Sequence, residues 1–165
     1  MFAIQKKSTI KTRISLPTIL ETVSKLTPEQ LEAIKSIGFG SLTHLRCTRV
    51  NHILCEWLVK NFDHAECSLT AHGRKVIVTP LDVEKIIDIS AHGAEASIQG
   101  LANAIAKMSE KYGFKDGLLN LKTLREDVQS MEKVGDEFKV KFALLALGCI
   151  FCPCLKPGIN QYFLH

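Results

Sequence analysis

Apolar residues recur at helical spacing from the first descriptive stretch of the chain onward. In "SLPTILETVSKL", Leu16, Ile19, Leu20 and Val23 fall on one face, Ser15 stands at the cap position and Pro17 in the first turn. In "TPEQLEAIKSIGFG", Thr27 is the expected N-cap, Pro28 the first helical residue, and Gln30 completes a capping box. Leu31, Ile34 and Ile37 supply the expected buried stripe, Gly38 stops the helix, and Phe39 is placed to fold back onto it. In "TRVNHILCEWLVKNF", Val50, Ile53, Leu54, Trp57 and Leu58 stand at i, i+3, i+4, i+7 and i+8. That spacing predicts an amphipathic helix, with Trp57 as an anchor of the core.

The period then changes. "CSLTAHGRKVIVT" reads as two short strands, Cys67–Thr70 and Lys75–Val78, around a turn containing Gly73. A capped helix follows from Thr79 and Pro80, with Val83, Ile86 and Ile87 as its core side. Beyond Gly100, "LANAIAKMSEKYG" and "LKTLREDVQSMEKV" read as helices, and "DEFKVKFALLALGCIF" is apolar nearly all round, as a central buried helix should be. The expected fold is mainly α. It is a single helical domain over residues 13–165, with one short β-hairpin inserted between helices and a basic tail at 1–12.

Composition narrows the class. The chain has 165 residues, 46% hydrophobic and 23% charged, which is enough apolar material for one folded domain. No apolar run reaches the roughly 18–20 residues that span a bilayer, so no integral membrane association is expected. No secretory signal of the usual form is present, and the six cysteines are expected to be reduced, in nucleus or cytoplasm. The net charge of +4 is spread along the chain, but Lys6, Lys7, Lys11 and Arg13 precede the first acid, Glu21. An acid-free, hydroxyl-rich basic start has the composition of a mitochondrial transit peptide; the alternative is a solvated basic tail open to an acidic partner or nucleic acid.

Three cysteines, Cys149, Cys152 and Cys154, lie within six positions at the end of the last helix. A redox pair sits at a helix N-terminus, where the dipole lowers a thiol pKa; Cys149 is at the opposite end. A tetrahedral zinc site needs a fourth ligand that this cluster does not offer. The cluster therefore reads as a buried helix end stopped by Pro153, with Cys154, past the stop, as the thiol placed to react. His44, Cys47, His52 and Cys55 form a second arrangement whose spacing matches no zinc module, and metal binding there stays open. No nucleophile, base and orienting group share a local signature, so no catalytic, cofactor-binding or metal residues are assigned.

The elements together resemble a family. "IGFGSL" at 37–42, "LCEWLVKNFD" at 54–63, the G-x-x-x-x-V-T-P-x-D-V passage at 73–83, and the stretch from Phe142 to Pro153 with "KPGINQYFL" behind it resemble the plant mobile domain proteins. Their relatives include the N-terminal regions of transposon-encoded plant proteins fused to ubiquitin-like-protein-specific cysteine proteases. The resemblance covers about residues 13–164 and transfers no catalytic residue. It implies a transposon-derived plant protein with a nuclear role in silencing. The expected function is a non-enzymatic protein-interaction module with a protein partner and no cofactor. The alternatives are a chromatin- or nucleic-acid-associated protein and a mitochondrially targeted partner-binding protein.

Overall fold

A computed structural model of the chain describes residues 12–90, 92, 102–153 and 158–160. Helix α1 (Leu16–Val23) has Pro17 in its first turn and buries Ile19 and Thr22. Ser15 does not cap it. Its hydroxyl meets the Thr18 hydroxyl at 2.7 Å and reaches no backbone N–H of the helix.

Helix α2 (Pro28–Ser36) opens as the sequence predicts. The Gln30 N–H donates to Thr27 Oγ1 at 3.3 Å, and the Thr27 N–H donates to Gln30 Oε1 at 2.9 Å. The Gln30 side-chain amide also donates to the Met131 carbonyl at 2.7 Å, which is why a polar residue is buried there. The helix ends at Gly38, φ +83°, a conformation glycine adopts without penalty. The N–H groups of Gly38 and Phe39 donate back to Lys35 and Ile34, and Phe39 turns onto Phe142 and Phe151 with ring centroids 6.4 and 6.2 Å away. The buried stripe of α2 is Gln30, Ala33 and Ile34; Leu31 and Ile37, expected beside Ile34, are only half-buried. A short 3₁₀ turn, Gly40–His44, buries Leu42.

Helix α3 (His52–Asn61) runs into a sheet that is larger than the single hairpin expected. Strands β1 (Phe62–Asp63), β2 (Ser68–Ala71) and β3 (Arg74–Ile77) form an antiparallel sheet in the order β1-β2-β3. The two-residue turn His72–Gly73 has φ of +50° and +73°, the positive pair that matches strand twist in a tight hairpin. Cys67, expected in a strand, has φ +47° and lies in the turn before β2. Helix α4 (Pro80–Ile87) follows and stops at Asp88, φ +56°.

The second half contains α5 (Ala102–Tyr112), β4 (Leu118–Asn120), α6 (Leu121–Ser130), α7 (Asp136–Ala146), a π-helical turn at Leu147–Phe151, and β5 (Gly158–Asn160). Strands β4 and β5 pair antiparallel, with Leu119 opposite Ile159 and both buried. Helix α7 is the central element expected: Phe138, Phe142, Leu144, Leu145 and Ala146 are buried on it, while Asp136, Glu137, Lys139 and Lys141 make its first half less apolar than the all-round pattern anticipated. Around it pack Ile19 of α1, Ala33 and Ile34 of α2, and Leu124 and Val128 of α6. Gly148 lets β5 approach, since a Cβ there would lie 2.5 Å from Ile159 and 2.6 Å from Leu121. The described core is thus built without a residue from α3 or α4.

An exposed apolar face as candidate functional site

Asn51 sets the start of α3: its Oδ1 accepts from the N–H groups of Ile53 and Leu54, each at 3.1 Å. Helical periodicity then brings Ile53, Leu54, Trp57 and Leu58 to one strip. This strip faces out. The four are 56%, 50%, 38% and 36% exposed, and no α3 residue is buried. Trp57 is therefore not the core anchor that its spacing suggested. The element α3 packs on is the thin sheet through β2, and one small sheet cannot cover a ten-residue helix.

Helix α4 repeats the pattern. Thr79 and Asp82 form a reciprocal cap, with the Thr79 N–H donating to Asp82 Oδ2 at 2.9 Å and the Asp82 N–H donating to Thr79 Oγ1 at 3.3 Å. The Thr79 hydroxyl, and then its N–H, hold the Asp82 carboxyl below the ordinary range. Yet Val83 and Ile86, expected on the core side, are exposed, Ile86 almost fully, and Ile87 is half-buried. Of thirteen exposed large apolar side chains among the described residues, eleven fall between Ile53 and Ile86. Between residues 43 and 90 the single buried residue is Ser68.

Charges on this unit are balanced. Residues 46–90 hold six Lys and Arg and six Asp and Glu. Lys60 pairs with Glu56 at 2.6 Å along α3, and Lys75 pairs with Glu66 across the sheet. Two open clefts flank the unit. One, about 490 Å³, sets Lys35 and His44 beside Glu84 and Asp88; the other, about 410 Å³, lies between Thr12–Pro17 and Thr48–His52.

The residues singled out from sequence are scattered. Lys6, Lys7, Lys11 and Cys154 lie outside the described residues; Arg13 is exposed. Cys149 is fully buried, and burial pushes its thiol up to about 11 against a smaller lowering by the Arg125 guanidinium. Desolvation raises this pKa, where position at a helix C-terminus had been the expected cause. His44, Cys47 and His52 are exposed, and the Cys47 thiol donates to the Arg49 carbonyl at 3.0 Å. Among the described residues no three His, Cys, Asp or Glu side chains are grouped to hold a metal ion. Among the same residues no helix is long and apolar enough to cross a membrane.

Comparison with known families gives one result. A family model described as "Domain of unknown function (DUF8566)" matches residues 12–165. The chain belongs to the DUF8566 family. No curated protein and no solved structure matches it. The DUF8566 match takes in both the α7-centred core and the exposed α3–α4 unit, so the apolar face is part of the family's domain. Lys6, Lys7 and Lys11 fall ahead of it.

Proposed function

We propose that the chain is a non-enzymatic protein-interaction module that takes a partner protein on the apolar face of α3 and α4. The observation that carries this reading is the concentration of eleven exposed large apolar side chains on a unit that supplies nothing to the described core. Single apolar residues on a surface are ordinary; a contiguous helical strip of them marks an interaction site. Helix faces of this kind bind by filling a groove with residues at i, i+4 spacing. A protein partner is favoured over nucleic acid because residues 46–90 hold six acidic side chains against six basic ones and so carry no excess of positive charge.

On the sequence resemblance we further propose a transposon-derived plant ancestry and a nuclear or cytoplasmic location, with mitochondria as the alternative supported by the acid-free start. A fluorescent fusion lacking residues 1–20 separates these locations. The binding reading is tested by affinity purification with the wild-type chain and with the double variant Ile53→Glu/Leu58→Glu. The wild type should retain a partner that, once purified, binds to saturation, and the double variant should lose at least about tenfold in affinity, roughly 1.4 kcal/mol, with unchanged circular dichroism. Equal binding by both chains, or turnover of a substrate by the purified protein, overturns the reading.

A further inference from the structure

Residues 46–90 are folded without a core of their own. Every buried apolar side chain among the described residues lies outside this stretch, and so does every half-buried one packed against the α7-centred core. The one buried side chain here is polar: Ser68, whose Oγ meets no hydrogen-bond partner. A buried hydroxyl left unpaired costs about 1–3 kcal/mol. The backbone opposes folding as well. Cys67, His72 and Asp88 hold φ of +47°, +50° and +56°, three of the four positive values at non-glycine residues in the described chain. A left-handed residue that carries a Cβ costs roughly 1–2 kcal/mol.

What holds the stretch is local and exposed. Asn51 caps α3, Thr79 and Asp82 cap α4, and Lys60–Glu56 and Lys75–Glu66 are surface ion pairs. Such pairs contribute about 0–1 kcal/mol each. Helix α3 has ten residues, and isolated helices below roughly 12–15 residues are marginal in water. Strands of two, four and four residues need a packed apolar face to persist, and Phe62, Val76 and Ile77 are exposed. Against these small gains, ordering the backbone costs about 1–2 kcal/mol per residue. The core lends little support, because clefts of about 490 and 410 Å³ lie where the two parts meet. One is between Lys35–His44 and Glu84–Ser90, the other between Thr12–Pro17 and Thr48–His52.

We infer that residues 46–90 are a second folding unit, which opens and recloses while the α7-centred core stays folded. Helix α3 packs on β2, β2 pairs with β1 and β3, and the Val78 N–H closes the sheet on the Cys67 carbonyl at 2.8 Å. Helix α3 and the three strands therefore open together. The fold thus places an order–disorder switch in the element that carries the exposed apolar face. Its consequence for binding rests on the reading of that face as a docking site. A partner takes the ordered form, so its apparent affinity is reduced by the fraction of chains in which the unit is open. Ordering the unit then strengthens binding without adding a contact.

Native-state hydrogen exchange of the isolated full chain tests the inference. Protection of the Cys55–Asn61, Leu69 and Val76 amides should lie at least about a hundredfold below that of Phe142–Ala146 in α7. Ile34→Val, a mild change at a fully buried core position, should speed exchange in α7 several-fold and leave α3 and the sheet unchanged. Asn51→Ala removes the α3 cap and should speed exchange about fivefold in α3, at Leu69 and at Val76 alike. His72→Asn places the favoured Asn-Gly pair in the tight turn and should slow the same amides. Equal protection of α3 and α7 overturns the inference. So does an α3 that responds to Ile34→Val by the same factor as α7, or a response to Asn51→Ala confined to α3. These readings involve no partner: they can fail while the wild type still binds one better than Ile53→Glu/Leu58→Glu does, and they stand if it does not.

Discussion

The backbone N–H of Ser15 donates to the carbonyl of Cys149 at 2.8 Å and so joins the start of α1 to the end of the central helix. Proline at 153 explains why that carbonyl is free. In an α-helix it would accept from the residue four positions on, and Pro153 has no N–H. The chain widens instead into a π turn closed by Cys152 N–H on the Leu147 carbonyl at 2.7 Å, and Ser15 satisfies Cys149 from outside. Ser15→Pro should therefore cost about 1–3 kcal/mol by stranding a buried acceptor. Ser15→Ala should cost less than about 0.5 kcal/mol, because the serine hydroxyl meets only Thr18. Urea denaturation of the two variants checks the contrast; equal losses would assign the role to the side chain.

Gly148 gives a second test of the same junction. An alanine Cβ there would press within 3 Å of Ile159 and Leu121, both held by the β4–β5 and α6 packing. Gly148→Ala should destabilise by about 1–3 kcal/mol through overpacking. Gly135→Ala, where a Cβ meets nothing within 4 Å, isolates the loss of a glycine N-cap on α7 and should cost less, about 0.5–1 kcal/mol, in the same denaturation assay.

Stability at alkaline pH should report Lys141. Its ammonium, 12% exposed, bridges Asp127 at 3.0 Å and Glu137 at 3.1 Å. Burial alone would lower its pKa; the hydrogen bonds that the ammonium donates to the two carboxylates, together with their charge, more than offset that, and the net shift is upward from 10.5. A pKa raised on folding gives stability that is full below the unfolded value and lost as pH rises through the folded one. The advantage of wild type over Lys141→Met should thus hold up to about pH 10 and shrink above the unfolded value. Urea midpoints of both chains across that range check it, and a constant difference would show that the ammonium charge is not involved.

Tryptophan substitution separates core from surface. Trp57→Ala should cost well below the about 3–5 kcal/mol of a core aromatic, whereas Phe138→Ala, fully buried on α7, should reach that range. Thermal or urea unfolding of the pair measures this directly.

Several elements were legible in the sequence because local rules specify them. The Thr27–Gln30 box, the Thr79 cap, the Gly38–Phe39 stop and the apolar second half of α7 each carry their signal within a few residues. The β4–β5 pair was not legible: Gly158–Asn160 is too short to show a period, and its partner is about forty residues earlier in the chain. The exposed face of α3 escaped for a different reason. An amphipathic pattern says which side of a helix is apolar, but not whether anything lies across that side. Val83 and Ile86 failed in the same way. The cluster at Cys149–Cys152 was correctly read as a helix end, while the cause of the raised Cys149 pKa, burial beneath α1 and β5, needs the tertiary structure.

Trp57 is the chain's only tryptophan, so its fluorescence reports the α3 face without labelling. Iodide quenching of the dilute, isolated chain tests the central claim most directly. An open apolar face predicts a red-shifted emission that iodide quenches efficiently, and a blue shift with loss of quenching when a purified partner is added. A blue-shifted emission already protected from iodide in the isolated chain would show that the chain covers this face itself, and would contradict the account.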